Sequence, residues 1–234
     1  MSKPVAIIVG VGPGLGAALV SRCASEGMAV AAVARDFERI AALTKPLGKT
    51  VIPYAADAAD PRSIKAIFRR IEADLSEPDL VIFNAGTFEP GEVLDISPED
   101  FERCWKIGCL GGFLVGQEAA RQMLPRGHGT IIFTGATAAL RGSKGFANLA
   151  VPKFGLRALA QCLARELGPK GIHVAHVIID GQIESERYAQ LSKDRGPNAL
   201  LKPKDIAEAY MTLHRQDRSA WTQEMDLRPW VEKF

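Results

Sequence analysis

The sequence is poor in cysteine and tyrosine, with four of the first and three of the second in 234 residues. Cys23, Cys104, Cys109 and Cys162 form no CxxC pair, and no histidine cluster accompanies them. That spacing excludes a disulfide framework or a structural zinc knot, so no metal site is expected. Cys23 and Cys162 fall on apolar faces of predicted helices, where a thiol behaves as a small hydrophobe, and a reducing cytoplasm is the expected compartment. Long apolar runs are missing too. None approaches the roughly 20 residues of a membrane span, and Met1-Ser2-Lys3-Pro4 leads into a short apolar run without the parts of a signal peptide. Excess charge is the last absence. Lys plus Arg number 29 and Asp plus Glu 27, a formal net of +2, too little to argue for nucleic acid or an anionic membrane as partner. Composition is otherwise that of a globular protein, 47% apolar and 24% charged. The length suits one α/β domain.

Short apolar runs alternate with helical patterns. Val5–Val9 is apolar, β-branched and closed by Gly10, the mark of a strand buried on both faces. A helix follows from about Gly14 to Glu26, with Gly27 past its end. Further strands are expected at 29–33, 50–54, 80–83, 129–134, 174–179 and 221–227. Helices are expected at 37–47, from Pro61 to about Leu75, at 150–167 and at 204–214. Ser97-Pro98-Glu99-Asp100 reads as a helix start, with a Ser cap, Pro in the first turn and acidic residues beside it. That helix is expected to run to about Met123, weakened by Gly108, Gly111 and Gly112. Residues 181–201 are polar and marked by glycine and proline, and are expected to form a mobile loop or small lid. Repeated βα units predict a three-layer, doubly wound parallel sheet of the Rossmann type in a single domain, 1–234.

The first βα turn reads Val9-Gly10-Val11-Gly12-Pro13-Gly14-Leu15-Gly16. Glycines there permit a tight turn, close approach of the backbone to a pyrophosphate, and close packing of helix on strand. The helix start supplies free N–H groups and a partial positive charge. Alone, such a loop is only a tight turn. Between a buried strand and an amphipathic helix it is the context a dinucleotide-binding loop requires.

The spacing Gly10-xxx-Gly14-x-Gly16 resembles that of the short-chain dehydrogenase/reductase family, and the resemblance spreads over the whole chain. Asn84-Ala85-Gly86 looks like the family's Asn-Ala-Gly motif. Asp57 matches its adenine-side aspartate, and Lys153 its active-site lysine. Asp180-Gly181-Gln182-Ile183 stands where the family has a Pro-Gly-x-Val/Ile segment beside the nicotinamide, and Ser185 stands where a Thr often meets the nicotinamide amide. The resemblance implies a homodimer or homotetramer built on the fourth helix and on the helix that follows Lys153. The end of the second strand selects the cofactor. An acidic residue there bonds the ribose of NAD. Here Ala34 takes that place by resemblance, and Arg35 follows as a phosphate partner. NADP(H) is therefore expected, with NAD(H) as the alternative because Asp36 lies one residue further on.

The resemblance breaks at the chemistry. The family's Tyr-x-x-x-Lys corresponds to Leu149-Ala150-Val151-Pro152-Lys153, its serine to Ala136, and its helical asparagine to Cys109. Of the four only Lys153 remains, with a role on the nicotinamide ribose. Tyr188, in the segment after Gly181, and Thr137, beside Ala136, are the candidate substitutes for the missing proton donors. Thr134 is also near, but neighbouring strand residues point to opposite faces. His128, His173 and His176 are read as turn or core residues. Three functions are compatible: an NADP(H)-dependent oxidoreductase of a small carbonyl or alcohol with a rearranged proton donor; a non-catalytic NADP(H)-binding sensor, scaffold or partner subunit; or an enzyme of another type, such as an isomerase or dehydratase, on the same fold. The substrate itself is not encoded in any motif.

Overall fold

A computed structural model describes residues 3–232. Seven parallel strands form one sheet: β1 Val5–Val9, β2 Ala29–Ala34, β3 Val51–Ala55, β4 Leu80–Phe83, β5 Gly129–Thr134, β6 Ile172–Ile179 and β7 Glu224–Leu227. Their spatial order is β3-β2-β1-β4-β5-β6-β7, all pairs parallel. Every residue of β1, β4 and β6 is buried, as expected for strands covered on both faces.

Alternation of side chains across the pleat splits the core in two. Val5, Ile7 and Val9 face α3 (Pro61–Asp74), α5 (Gly111–Met123) and α6 (Ala147–Leu167). Ala6 and Ile8 face α1 (Leu15–Ser25), α2 (Phe37–Thr44) and α8 (Pro203–His214). The expected three layers and single domain are thus present. The sheet order reverses between β1 and β4, and ligands of such folds bind outside the carboxyl ends of the strands at that point.

Several boundaries differ from the sequence expectation, each for a physical reason. The helix expected over 97–123 is divided into α4 (Pro98–Trp105), a π-turn Lys106–Leu110, and α5. The glycines mark where it presses on its neighbours: a Cβ on Gly112 would lie 2.3 Å from Leu156 Cδ1, and one on Gly111 2.9 Å from the Ala58 carbonyl. Helix α6 starts at Ala147, three residues before the expected position, and includes Pro152. Strand β6 begins at Ile172 because polar His173 is absorbed: its Nε2 meets the Thr222 carbonyl at 2.9 Å and its ring stacks on Trp221. The last strand starts at Glu224, after a 3₁₀ turn at Arg218–Ala220. Segment 181–201 is not bare loop. It holds a 3₁₀ turn at Glu186–Tyr188, the helix α7 (Ala189–Arg195) and a bridge between Ile183 and Leu201.

Candidate functional site

The cleft is built from β1, β2 and β4. Gly10 has a positive φ of +95°, and a Cβ there would sit 2.3 Å from the Ala85 nitrogen. Only glycine allows β1 to leave the sheet so close to the end of β4. Asn84 fixes this approach, since its Nδ2 donates to the Gly10 carbonyl at 2.9 Å. The Gly10 and Val11 amides both donate to the Val33 carbonyl, so the three strand ends are tied together. Gly16 lets α1 rest on the loop, where a Cβ would meet Val11 Cα at 2.8 Å. Gly12 and Gly14 face open space within 4 Å. Helix α1 begins there with no side-chain cap and no acidic residue in its first turn, so its N–H groups and partial positive charge are available to an anion.

Two cavities meet at this loop. One, of about 320 Å³, is lined by Gly10, Gly12, Arg35, Asp57, Asn84 and Gly86 among others. Arg35 is exposed, and no ion pair involves it among the described residues. Asp36 caps α2, and its side chain accepts from the Arg39 amide at 3.0 Å. Arg39 lines the same cavity one helical turn from Arg35, a second cation not singled out from the sequence. The signal that could have found it is the i, i+4 spacing at a helix start. Asp57 is exposed, and its Oδ1 accepts from the Ala59 amide at 2.9 Å.

The second cavity, about 610 Å³, is lined by Gly14, Leu15, Ala136, Thr137, Leu149, Asp180, Gly181, Ile183, Ser185 and Tyr188. Most of the residues singled out after the glycine loop therefore share one wall system. Thr134 does not: its hydroxyl points the other way and bonds Tyr210 Oη at 2.9 Å inside the core. Thr137 Oγ1 donates to Asp180 Oδ1 at 2.5 Å. Asp180 is 3% exposed and its Oδ2 meets Arg228 at 3.1 Å. In the sequence Asp180 stands out only as a departure from a Pro-Gly pattern, and nothing there announces this pairing. Tyr188 ends the 3₁₀ turn and its ring carries the Arg187 guanidinium at 5.6 Å. Phe88 and Phe146 stack at 4.7 Å on the cavity wall.

Lys153 lies behind Gly86 of the smaller cavity. It is 7% exposed, its Nζ donates to the Thr134 carbonyl at 2.6 Å, and a Cβ on Gly86 would be 3.9 Å from it. Burial pulls the amine down from 10.5 to about 8, because a charged ammonium loses its water. On the other side of the Thr134–Gly135 peptide lies His176, fully buried, whose Nδ1 meets Glu224 at 3.3 Å. Burial, opposed by Glu224, holds the imidazole at about 4. Glu224 is in turn gripped by Arg157 through two 2.6 Å bonds. Cys109 lies in the π-turn against Gly155, and burial raises its thiol. Among the described residues no cluster of His, Cys, Asp and Glu could hold a metal, and no helix is long and apolar enough to cross a membrane.

Comparison with known proteins agrees with this geometry. Residues 4–196 match the family model described as short chain dehydrogenase. The 3-oxoacyl-[acyl-carrier-protein] reductase FabG of Escherichia coli K12 is 28% identical over 198 residues, covering 85% of this chain and 81% of its own. A crystal structure of a short-chain dehydrogenase from Rhodopseudomonas palustris is 37% identical, with a TM-score of 0.84 over 97% of this chain and 99% of that one. A metagenomic short-chain oxidoreductase in complex with NADP shares the fold at 23% identity, with a TM-score of 0.85 over 99% of both chains. The chain belongs to the short-chain dehydrogenase family of oxidoreductases.

Proposed function

We propose that this protein binds NADP(H) across its glycine loop, with NAD(H) as the weaker alternative, and moves hydride between it and a small carbonyl or alcohol using an atypical proton donor. The observation that carries the cofactor reading is a pair of guanidiniums, Arg35 and Arg39, without an ion-pair partner among the described residues. They stand at a cavity whose two acids are each engaged by a backbone amide, Asp36 as a helix cap and Asp57 by Ala59. Arginine forks match a 2′-phosphate. The residues fit the group in another respect: Gly12 and Gly14 leave open ground beside the uncapped start of α1, where a pyrophosphate is favoured. The NADP-bound metagenomic relative supports the same reading.

When bound, the nicotinamide supplies the hydride chemistry. The chain's part is placement and proton handling. Asp57 and Asn84-Ala85-Gly86 hold the adenosine half, while Gly181, Ile183 and Ser185 border the nicotinamide half beside Leu15. Lys153 takes the ribose hydroxyls in place of the Thr134 carbonyl. Tyr188 and Thr137 are the candidate proton donors, and segment 181–201 closes over the substrate. Exposed Phe101, Trp105, Phe113, Val151 and Phe154 on α4, α5 and α6 support a homodimer or homotetramer, since such apolar exposure marks an interface.

A second reading, binding without turnover, is favoured by one feature. Leu149 and Ala136 give the larger cavity an apolar wall where the family's tyrosine and serine would stand, and a missing general acid costs about 10²–10⁴-fold. NADPH oxidation, followed by absorbance against a panel of ketones and aldehydes, separates the two. Turnover of any member supports the oxidoreductase, and saturable NADPH binding with no turnover supports the inactive form.

A further inference from the structure

The larger cavity holds one polar pair that presents lone pairs rather than a hydrogen, Thr137 and Asp180. Its neighbours Ala136, Ala138, Leu149 and Ile179 are apolar. Thr137 has one hydroxyl hydrogen, and it is committed to Asp180 Oδ1 at 2.5 Å. What Thr137 presents to the cavity is therefore oxygen lone pairs. Asp180 is held from two further sides: Arg228 meets Oδ2 at 3.1 Å, and the Asp180 amide donates to the Leu227 carbonyl at 2.8 Å. The carboxylate is 3% exposed, so it cannot turn to water for its partners. Of the other donors on the same cavity, Arg141, Ser143 and Ser185 stand at exposed positions and Gln182 and Tyr188 at half-buried ones. A carbonyl oxygen placed against Thr137 Oγ1 would face lone pairs there. A hydroxyl placed there would donate to Thr137 Oγ1. Stacked Phe88 and Phe146 suit a flat apolar body behind that hydroxyl.

We propose that the Thr137–Asp180 pair is a recognition and proton-accepting site for the hydroxyl group of a small, flat, apolar secondary alcohol, so that the cavity selects the alcohol over its ketone. This rests on the dinucleotide reading above for the redox partner. The alcohol's C–H bond breaks with its electron pair leaving as hydride to the oxidised dinucleotide. Its O–H proton passes to Thr137 Oγ1 while the Thr137 proton moves to Asp180 Oδ1. The products are the ketone, the reduced dinucleotide and one proton, which Asp180 returns through Thr137 to water entering the cavity once the ketone has left.

The test uses the intact protein saturated with NADP⁺ and a matched pair of probes, 1-phenylethanol and acetophenone. Binding is read by calorimetry and by saturation-transfer NMR, and turnover by the absorbance of the reduced dinucleotide. The alcohol is expected to bind at least about tenfold more tightly than the ketone, the worth of a hydrogen bond to a charge-backed acceptor. Thr137→Val removes that preference, Thr137→Ser keeps it, and Asp180→Asn, whose Oδ1 turns to Arg228 and whose Nδ2 then donates to Thr137 Oγ1, frees the Thr137 hydrogen and shifts preference toward the ketone. NADP⁺ affinity of Thr137→Val stays at the wild-type value, which shows that the variant is folded. Equal or tighter binding of acetophenone, no binding of either probe, or an unchanged ratio in Thr137→Val overturns the proposal. Loss of NADP⁺ binding by the wild-type protein overturns the cofactor reading instead.

Discussion

Gly10 and Gly12 are two residues apart, yet the same substitution has opposite consequences at each. Gly10 adopts φ +95°, and a Cβ there would be 2.3 Å from the Ala85 nitrogen and 2.7 Å from the Asn84 carbonyl carbon. A left-handed backbone costs an L-residue about 1–2 kcal/mol. The colliding atoms are backbone of β4, which cannot rotate away as a side chain would, so displacement of the β1–β4 junction adds roughly as much again. Gly10→Ala is thus expected to lose about 3 kcal/mol. For a chain of this size each kcal/mol lowers Tm by about 2–4 °C, giving a drop of about 6–12 °C. At Gly12 φ is ordinary and nothing lies within 4 Å of the added methyl. There the alanine restricts the unfolded chain, worth about 0.4–1 kcal/mol in favour of folding, while its methyl occupies ground a pyrophosphate needs. Gly12→Ala should hold or raise Tm and lose NADPH affinity. Calorimetric melting and NADPH titration of both variants decide it. An unchanged Tm in Gly10→Ala, or a Gly12→Ala protein that binds NADPH as well as wild type, would refute the reasoning.

Two further predictions concern buried bases. The Lys153 amine, at about 8 in the fold against an ordinary 10.5, gives up a proton that the unfolded chain keeps between those pH values. Stability from this group therefore rises with pH through that window, and its full cost applies below pH 8. That cost is about 3 kcal/mol, offset by about 1 kcal/mol for the bond to the Thr134 carbonyl. Lys153→Met should therefore gain about 2 kcal/mol at about pH 7 in urea unfolding, with the advantage fading toward pH 10.5, and should bind NADPH more weakly. An apoprotein no more stable than wild type would contradict this. His176, at about 4 against 6.5, stays neutral while the unfolded chain takes up a proton. Its contribution is intact above pH 6.5 and is lost as pH falls to 4, about 3 kcal/mol in all. The stability difference between wild type and His176→Gln should shift by that amount across the window, and a pH-independent difference would count against it.

The layers, the cleft at the end of the sheet, and the glycine loop were legible in the sequence because they rest on local signals. Continuous apolar runs at β1 and β4 mark strands buried on both faces, and glycines stand where backbones must touch. What was not legible depends on side chains meeting across elements far apart in sequence. Thr137 and Asp180 are 43 residues apart, and no spacing announces that one will consume the other's only hydrogen. Thr134 and Thr137 look alike in sequence, yet one hydroxyl goes to Tyr210 in the core and the other to the cavity. Asp36 presents itself in sequence as a ribose ligand, whereas its bond to the Arg39 amide makes it a cap and brings Arg39 to the cavity. The π-turn at Lys106–Leu110 likewise follows from packing of α4 and α5 on α6, a constraint no local propensity contains. Segment 181–201 gained a helix because a polar stretch with scattered apolar residues reads as loop until Ile183 and Leu201 pair.

The most direct measurement is a calorimetric titration of NADPH and of NADH into the wild-type protein and into Arg35→Ala. NADPH is predicted to bind more tightly than NADH to the wild type. Arg35→Ala should lose about tenfold or more in NADPH affinity, the lower range for a charge-assisted bond to phosphate, with NADH affinity unchanged. Equal binding of the two nucleotides, or an Arg35→Ala protein that loses both alike, would contradict the placement of the 2′-phosphate. Binding of neither nucleotide would contradict the dinucleotide site itself.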